Sequence, residues 1–320
     1  MNCKPIIIVL GEPNSIFTEI LSKTFEKKTF KSPIIVIGSF KLINMQLIKL
    51  KRKIKINLIN YKNLQSNNLS KNKINLININ YNVKVPFEKI SNKSNLYIKK
   101  CFDMALKLLK NKLTNKFING PISKKFFLKR KYNGITEYLS KKTHTKNFAM
   151  LIFNKKFSVC PITTHLPIKM VSKNIDKKTI INKIKLIDKF FKLKLKKKAK
   201  IAVTGLNPHC ESKLKFKEDD KIIKPAIKNL KKLGLNINGP FSADTLFIKD
   251  NRKNYDVIVG MYHDQVLTPM KTLFEYDAIN ITLGLPFFRV SPDHGPNENM
   301  LGKNFSNPKS LIRSIEFLDN

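Results

Sequence analysis

The chain has 320 residues, 42% of them hydrophobic, which is enough to bury one large or two medium cores. No apolar run approaches the ~18 residues of a membrane span, and Gly11-Glu12-Pro13 ends the apolar N-terminal run without a cleavage site, so we expect a soluble, cytoplasmic protein. The net charge of +40 comes mainly from lysine, since only five of the 62 basic residues are arginine. Arginine is the residue that most often binds phosphates and base edges in nucleic acids. We therefore do not expect a nucleic-acid partner.

Short apolar, β-branched runs alternate with helical patterns along the chain, which predicts an α/β fold with a mostly parallel sheet. Two of these runs flank 154–156 closely enough to form a hairpin, which predicts some mixed strands. We predict strands over 5–10, 33–38, 55–59, 117–119, 148–153, 157–163, 200–204, 257–260 and 278–282. We predict helices near 16–27, 95–112, 178–196, 221–233 and 308–318.

Three of the five histidines follow predicted strands directly: His165, His209 and His263. Residues just beyond the carboxyl ends of strands in an open α/β sheet line its binding crevice. Three neutral imidazoles there would suit a divalent ion with an open coordination position. From the residues alone, a lone histidine is more often a hydrogen-bonded structural residue than a ligand. The neighbouring Cys210 could be a further ligand, but a lone cysteine is more often buried filler. The four cysteines are scattered, which indicates reduced thiols.

A second group consists of Lys271, Asn280 and Arg289. These side chains could hold a phosphate or carboxylate through charge-assisted hydrogen bonds. Arg289 stands in an apolar run, and a partly buried arginine needs an anionic partner, which can be a ligand or a structural carboxylate. The eleven glycines form neither a Rossmann fingerprint nor a P-loop, so a dinucleotide must be held in another way.

Six motifs in order resemble the 4-hydroxythreonine-4-phosphate dehydrogenase family of pyridoxal phosphate biosynthesis. The resemblance runs from Gly11-Glu12-Pro13 through Gly120-Pro-Ile-Ser-Lys124 to Gly302-Lys303. The motifs are Thr164-His-Leu-Pro167, Gly205-Leu-Asn-Pro-His209, Asn238-Gly-Pro-Phe-Ser-Ala-Asp-Thr-Leu-Phe247, Met261-Tyr-His-Asp-Gln265, Asn280-Ile-Thr-Leu-Gly-Leu-Pro286 and Asp293-His-Gly295.

The resemblance implies a fold like that of isocitrate and isopropylmalate dehydrogenases, with two α/β domains around a cleft. It places one domain at 1–135 with 291–320 and the other at 136–290, the latter carrying the metal ligands and a homodimer interface. His165, His209 and His263 would bind the metal (zinc, magnesium or cobalt), with the third supplied across that interface. Thr136, Lys271, Asn280 and Arg289 would hold the substrate.

The implied reaction is NAD-dependent, metal-assisted oxidation and decarboxylation of 4-phosphooxy-L-threonine to 3-amino-2-oxopropyl phosphate. Asp244, Asp264 and Lys271 are the candidate catalytic residues, since either aspartate could move the proton or orient a ligand histidine. His294, Gly295 and Asn304 would contact NAD. The same motifs leave NADP open as an alternative to NAD.

The chain departs from the family pattern on ligand-facing loops. Ile135 replaces a family histidine that contacts substrate, and Pro296-Asn297 replace a Thr-Ala pair beside the cofactor. The turn after Pro13 lacks further family glycines. The Ile135 change favours an alternative, a dehydrogenase of the same fold acting on a threonate or erythronate phosphate. A second alternative is a non-catalytic, basic nucleic-acid-binding protein on this scaffold, which would bind duplex DNA with steep salt dependence.

Overall fold

The computed structural model describes residues 3–64, 69–128, 131–132, 134–211, 217–292 and 294–320. The chain divides into two compact units, unit 1 (Met1–Thr143 with Pro286–Asn320) and unit 2 (His144–Leu285). The expected domains were 1–135 with 291–320 and 136–290, so both points at which the chain passes from one unit to the other differ from the expected ones. The strand over 288–292 belongs to unit 1 because it pairs with the strand over 116–119.

The strands have apolar, largely β-branched sequences, as expected for a half-buried or fully buried pleated surface. In chain order they are β1 (Ile6–Val9), β2 (Ile34–Gly38), β3 (Ile56–Leu58), β4 (Ile74–Asn78), β5 (Lys116–Asn119), β6 (Ala149–Phe153), β7 (Ser158–Pro161), β8 (Ile201–Thr204), β9 (Ile237–Phe241), β10 (Val257–Gly260), β11 (Ile279–Leu283) and β12 (Phe288–Pro292).

The α-helices place an apolar stripe against these sheets and their lysines toward solvent. They are α1 (Phe17–Lys27), α2 (Phe40–Lys49), α3 (Asn95–Lys110), α4 (Ile135–Lys142), α5 (Lys177–Lys194), α6 (Lys224–Lys232), α7 (Ala243–Leu246), α8 (Lys249–Arg252), α9 (His263–Phe274) and α10 (Lys309–Asp319). None of these, nor any other helix of the described residues, has the length and apolarity needed to cross a membrane.

Unit 1 holds a parallel sheet in the order β3-β4-β2-β1-β5-β12. Its centre, β1, is buried along its whole length, so helices cover both faces. In register, Ile6 lies opposite Ile34 on one side and Lys116 on the other. The Ile-rich sequence of β1 therefore fits a central strand.

Unit 2 holds a mixed sheet in the order β11-β6-β7-β10-β8-β9. The predicted hairpin is confirmed, because β6 and β7 pair antiparallel with Ile152 opposite Val159. β11 is also antiparallel to β6, whereas β10 runs parallel to β7 and β8. The prediction of an α/β fold with a mostly parallel, partly mixed sheet is confirmed.

The order of the parallel strands in unit 2 determines where the predicted metal ligands lie. β7, β10 and β8 are adjacent and parallel, so their carboxyl ends share one edge of the sheet. His165 follows β7, His263 follows β10, and His209 follows β8. Three separate chain segments thus bring their histidines to the same edge.

Candidate functional site

His165 and His263 lie next to each other in unit 2. Their ring centroids are 5.6 Å apart, and the ring planes are inclined by 36°. His165 is exposed in the loop after β7, and His263 is the half-buried first residue of α9. The sequence therefore placed His263 in a loop where the chain in fact begins a helix, one that continues across Pro269.

Asp264 contacts the ring of its neighbour His263. The distance from the Asp264 carboxylate to His263 Nδ1 is 2.7 Å, and the carboxylate itself is exposed. A carboxylate in this position favours the tautomer with the proton on Nδ1, which leaves the lone pair of Nε2 available for an ion. The contact supports orientation of His263 as the role of Asp264.

His165 and His209 have left-handed backbone conformations, with φ of 53° and 55°. This region is unfavourable for side chains with a Cβ and is occupied mainly by glycine. His209 lies exposed in the 3₁₀ turn Pro208–Cys210, and Cys210 after it has φ of 59°. Strained residues of this kind cluster at functional sites, where the surrounding structure holds them.

The single chain does not assemble a complete three-ligand group. Among the described residues, no three His, Cys, Asp or Glu side chains are close enough together to hold one ion. Cys210 is buried, and burial raises the pKa of its thiol, which disfavours the thiolate that a metal requires. Of the three predicted ligands, the single chain brings two imidazole rings together, those of His165 and His263.

The remaining predicted residues of unit 2 lie on different elements. Lys271 is half-buried on α9, two turns after His263, while Asp244 is exposed on α7 with its carboxylate accepting the backbone N–H of Thr245 at 2.8 Å. Asn280 lies on β11, and its Oδ1 is buried without a hydrogen-bond partner among the described residues. A buried, unpaired acceptor is costly unless a ligand supplies the donor.

Unit 1 contains a buried cationic group around Arg289. Arg289 on β12 is 1% exposed, its Nε donates to Asn119 Oδ1 at 2.8 Å, and its terminal nitrogen donates to Thr136 Oγ1 at 3.2 Å. Burial lowers the pKa of Arg289 to about 10, and Glu137 nearby opposes this shift. The guanidinium therefore stays charged at neutral pH. Ile135, the first residue of α4, lies next to Thr136 and is half-buried.

The predicted cofactor residues lie in the segment of unit 1 that follows β12. The His294 ring lies 6.0 Å from that of Phe17, and Gly295 is exposed, where an added Cβ would meet Asn297 Oδ1 at 3.7 Å. Asn304 Oδ1 accepts from Arg52 Nε at 2.8 Å. The Pro296 carbonyl accepts the N–H of Ile16 at 3.2 Å, so the altered segment is fixed to the start of α1. Asp293 lies outside the described residues.

Comparison with known proteins decides the family. The family model described as "Pyridoxal phosphate biosynthetic protein PdxA" matches residues 29–318. The chain belongs to the PdxA family. It is 38% identical over 317 residues to a 4-hydroxythreonine-4-phosphate dehydrogenase of Sulfurihydrogenibium, covering 97% of this chain and 96% of that protein.

Two further relatives bear on structure and on substrate. The crystal structure of a 4-hydroxythreonine-4-phosphate dehydrogenase from Klebsiella pneumoniae superimposes with a TM-score of 0.85 at 27% identity, covering 99% and 97% of the two chains. A D-threonate 4-phosphate dehydrogenase of Pectobacterium atrosepticum is 35% identical over 186 residues, 58% of this chain and 57% of that protein.

Membership of the PdxA family confirms the resemblance drawn from the motifs and the prediction of a dehydrogenase. The roles of the individual site residues stay predictions. The sequence did not indicate Asn119, whose side chain contacts Arg289, or Gln265, whose side chain contacts two of the histidine-bearing loops. Their place in the sequence could have indicated them, because Asn119 directly precedes the motif Gly120–Lys124 and Gln265 ends the motif Met261–Gln265.

Proposed function

We propose that the protein catalyses the NAD-dependent oxidation and decarboxylation of 4-phosphooxy-L-threonine to 3-amino-2-oxopropyl phosphate, in the pathway to pyridoxal phosphate. The PdxA family membership supports the reaction class. The observation that carries the chemistry is the pair of accessible imidazoles, His165 and His263, with Asp264 orienting the second.

We infer that His165, His209 and His263 bind a divalent ion, with the third histidine supplied across a homodimer interface, as the family resemblance implies. These three imidazoles would hold the ion, which would supply Lewis-acid polarisation of the substrate's alcohol and electrostatic stabilisation of the charge produced on decarboxylation. The chain's own contribution is to present two imidazole nitrogens and to fix one tautomer.

Arg289 is proposed to hold the phosphate or carboxylate of the substrate. Its charge is desolvated, and a charge-assisted hydrogen bond is stronger in such surroundings than in water. Thr136 and Asn119 fix the orientation of the guanidinium. Asn280 offers a buried acceptor for a substrate hydroxyl or ammonium group. Lys271 is the candidate for moving the proton, since Asp264 is occupied by His263.

The test is a rate measurement on the purified full-length protein. NADH formation is followed with NAD, Co²⁺, Zn²⁺ or Mg²⁺, and 4-phosphooxy-L-threonine as substrate, with NADP replacing NAD in a parallel series. Turnover that requires the ion and fails in His263→Ala is the expected result. Absence of turnover with every metal and both dinucleotides would refute the proposal.

A second candidate substrate is D-threonate 4-phosphate. The observation that favours it is Ile135 beside Thr136, because isoleucine cannot donate a hydrogen bond to the amino-acid substrate. Measuring kcat/KM for both substrates in the natural protein and in Ile135→His decides between them. If the natural protein prefers D-threonate 4-phosphate and Ile135→His reverses the preference, the second candidate is correct.

A further inference from the structure

The side chain of Gln265, the third residue of α9, bridges two strand ends of unit 2. Its Oε1 accepts the backbone N–H of Met261 at 2.7 Å and the hydroxyl of Thr204 at 2.9 Å. Its Nε2 donates to the carbonyl of Gly205 at 2.8 Å. One amide group thus joins the end of β8 to the end of β10.

These contacts lie directly before the predicted metal ligands. Gly205 opens the loop that ends at His209, and Met261 is two residues before His263. The Met261 carbonyl in turn accepts the hydroxyl of Thr163 at 2.8 Å and its N–H at 3.1 Å, two residues before His165. A continuous series of hydrogen bonds therefore connects the backbone before all three histidines.

The bridge requires an amide of this length. A side chain there must accept from Met261 and donate to Gly205 at the same time, and among neutral side chains of that reach only glutamine does both. The absence of a side chain at Gly260 leaves room for the Gln265 amide. A Cβ at position 260 would lie 3.0 Å from Gln265 Oε1 and 2.4 Å from a side-chain carbon of Val266. The local sequence thus accommodates the amide.

A second side chain, that of Asp219, also holds the start of the His209 loop. The buried carboxylate of Asp219 accepts the N–H of Leu206 at 2.8 Å and the side-chain amide of Asn207 at 2.8 Å. Asp219 begins a π-helical turn, Asp219–Ile223, a feature that occurs often near functional sites. Asp219 and Gln265 therefore both hold the start of the loop that ends at His209.

We infer that Gln265 is a positioning residue for the metal site: its amide holds the ends of β8 and β10, where the segments that present His209 and His263 begin. The inference depends on the proposed metal-binding function. Residues that orient metal ligands through hydrogen bonds typically change metal affinity about 10- to 100-fold when replaced.

The test is titration of the full-length protein with Co²⁺ alone, without substrate or NAD, following the cobalt absorption bands. Gln265→Met keeps the length of the side chain and removes its hydrogen bonds, and it should bind Co²⁺ about 10- to 100-fold more weakly with altered bands. Gln265→Glu, which cannot donate to the Gly205 carbonyl, should also weaken binding.

Gln46→Met is the matched control. Gln46 is a buried glutamine of unit 1 whose amide donates to the carbonyls of Pro13 and Pro86 and accepts from Thr18. Its replacement should lower the melting temperature to a similar degree and leave Co²⁺ affinity within twofold. A loss of affinity in both variants would show a general effect of stability and overturn the inference.

The outcomes separate the inference from the proposed function. If the natural protein binds no Co²⁺ in a manner that depends on His263, the metal site itself is wrong. If it binds Co²⁺ and folded Gln265→Met binds equally tightly, only the positioning role is wrong. Should Gln265→Met fail to fold, Thr204→Val removes one of its hydrogen bonds and should weaken binding several-fold; unchanged affinity in that variant overturns the inference.

Discussion

Arg289 in unit 1 and the histidines of unit 2 are held in opposite ways. Arg289 lies on a strand, almost fully buried, with side-chain partners from β5 and α4. His165 and His209 are exposed on loops with left-handed backbone, and hydrogen bonds hold Thr163 and Leu206, which lie two and three residues before them. The proposed anion site is therefore formed by side chains packed within the unit. The proposed metal site depends on backbone geometry.

The largest effect is expected at the exposed ligands. His209→Ala should lower kcat about a thousandfold or more, because a bound divalent ion contributes several kcal/mol to such chemistry. The fold should persist, since His209 is exposed. The measurements are NADH formation and circular dichroism. His144→Ala is the control, because His144 is also exposed with φ of 54° and lies outside the predicted site.

Retention of full activity and metal content in His209→Ala would remove His209 from the site. Loss of activity in His144→Ala to the same degree would show that replacing any left-handed histidine disturbs unit 2. Either result would contradict the proposal that the left-handed conformation of His209 serves metal binding.

Arg289→Met should have the next largest effect. Removing the buried cation should lower kcat/KM about a hundredfold, from loss of roughly 2–3 kcal/mol of charge-assisted binding. Stability should change by less than about 2 kcal/mol, because methionine fills similar volume, although Asn119 and Thr136 lose a partner. Arg313→Met, which removes an arginine paired with Glu316 at 2.9 Å, should leave kcat/KM unchanged.

If Arg289→Met unfolds the protein while its residual folded fraction keeps normal KM, Arg289 is a structural cation and not a substrate ligand. Urea unfolding and substrate titration on the same preparation distinguish the two cases.

A second buried ionisable group of unit 1, Glu12, makes the stability of the protein depend on pH. Glu12 is 1% exposed, and burial raises its pKa to about 7 against weak hydrogen bonds from Asn14 and Ser94. The protonated form is favoured in the folded state, so this contribution to stability is present below about pH 4.5 and is lost as pH rises through about 7. Glu12→Gln should therefore stabilise the protein at pH 8 by up to about 3 kcal/mol, and little at pH 4.5.

Urea unfolding at the two pH values checks this. Glu19→Gln is the control, because Glu19 is equally buried but pairs with Lys23 at 2.8 Å, and its replacement should destabilise the protein at pH 8. An equal effect of Glu12→Gln at both pH values would contradict the assignment.

The sequence predicted the fold best where apolar runs were bounded by turn residues. β1 and β10 matched their predicted ranges closely, since their periodicity and flanking glycines agree. β4 was missed because its residues alternate with Asn and resemble compositional bias, and β12 because Arg289 interrupts its apolar pattern. α9 was missed because Pro269 lies inside it. Tertiary packing overrode local signals in each case.

For the site, the sequence predicted the residue types but not their supports. Motif positions identified His165, His263 and Arg289, yet the contact between the two rings arises from the order of β7 and β10 in the sheet. Gln265 lies in the same motif as His263, but its sequence position does not show that it bridges two strand ends. That bridge depends on its hydrogen bond to Gly205, 60 positions away in the chain. Long-range hydrogen bonds of this kind leave no local pattern.

The smallest predicted effect tests the backbone side of the comparison directly. At φ of 53°, His165→Gly should be more stable than His165→Ala by about 1 kcal/mol, because glycine adopts the left-handed region without a Cβ clash. At His263, which begins α9, the order should reverse, since alanine favours a helix over glycine by up to about 1 kcal/mol. Urea unfolding with EDTA present measures both pairs without any contribution from metal. An equal free energy of unfolding for His165→Gly and His165→Ala would show that the loop relaxes when the histidine is removed. The left-handed conformation would then be imposed by the histidine itself and not by the hydrogen bonds between Thr163 and Met261.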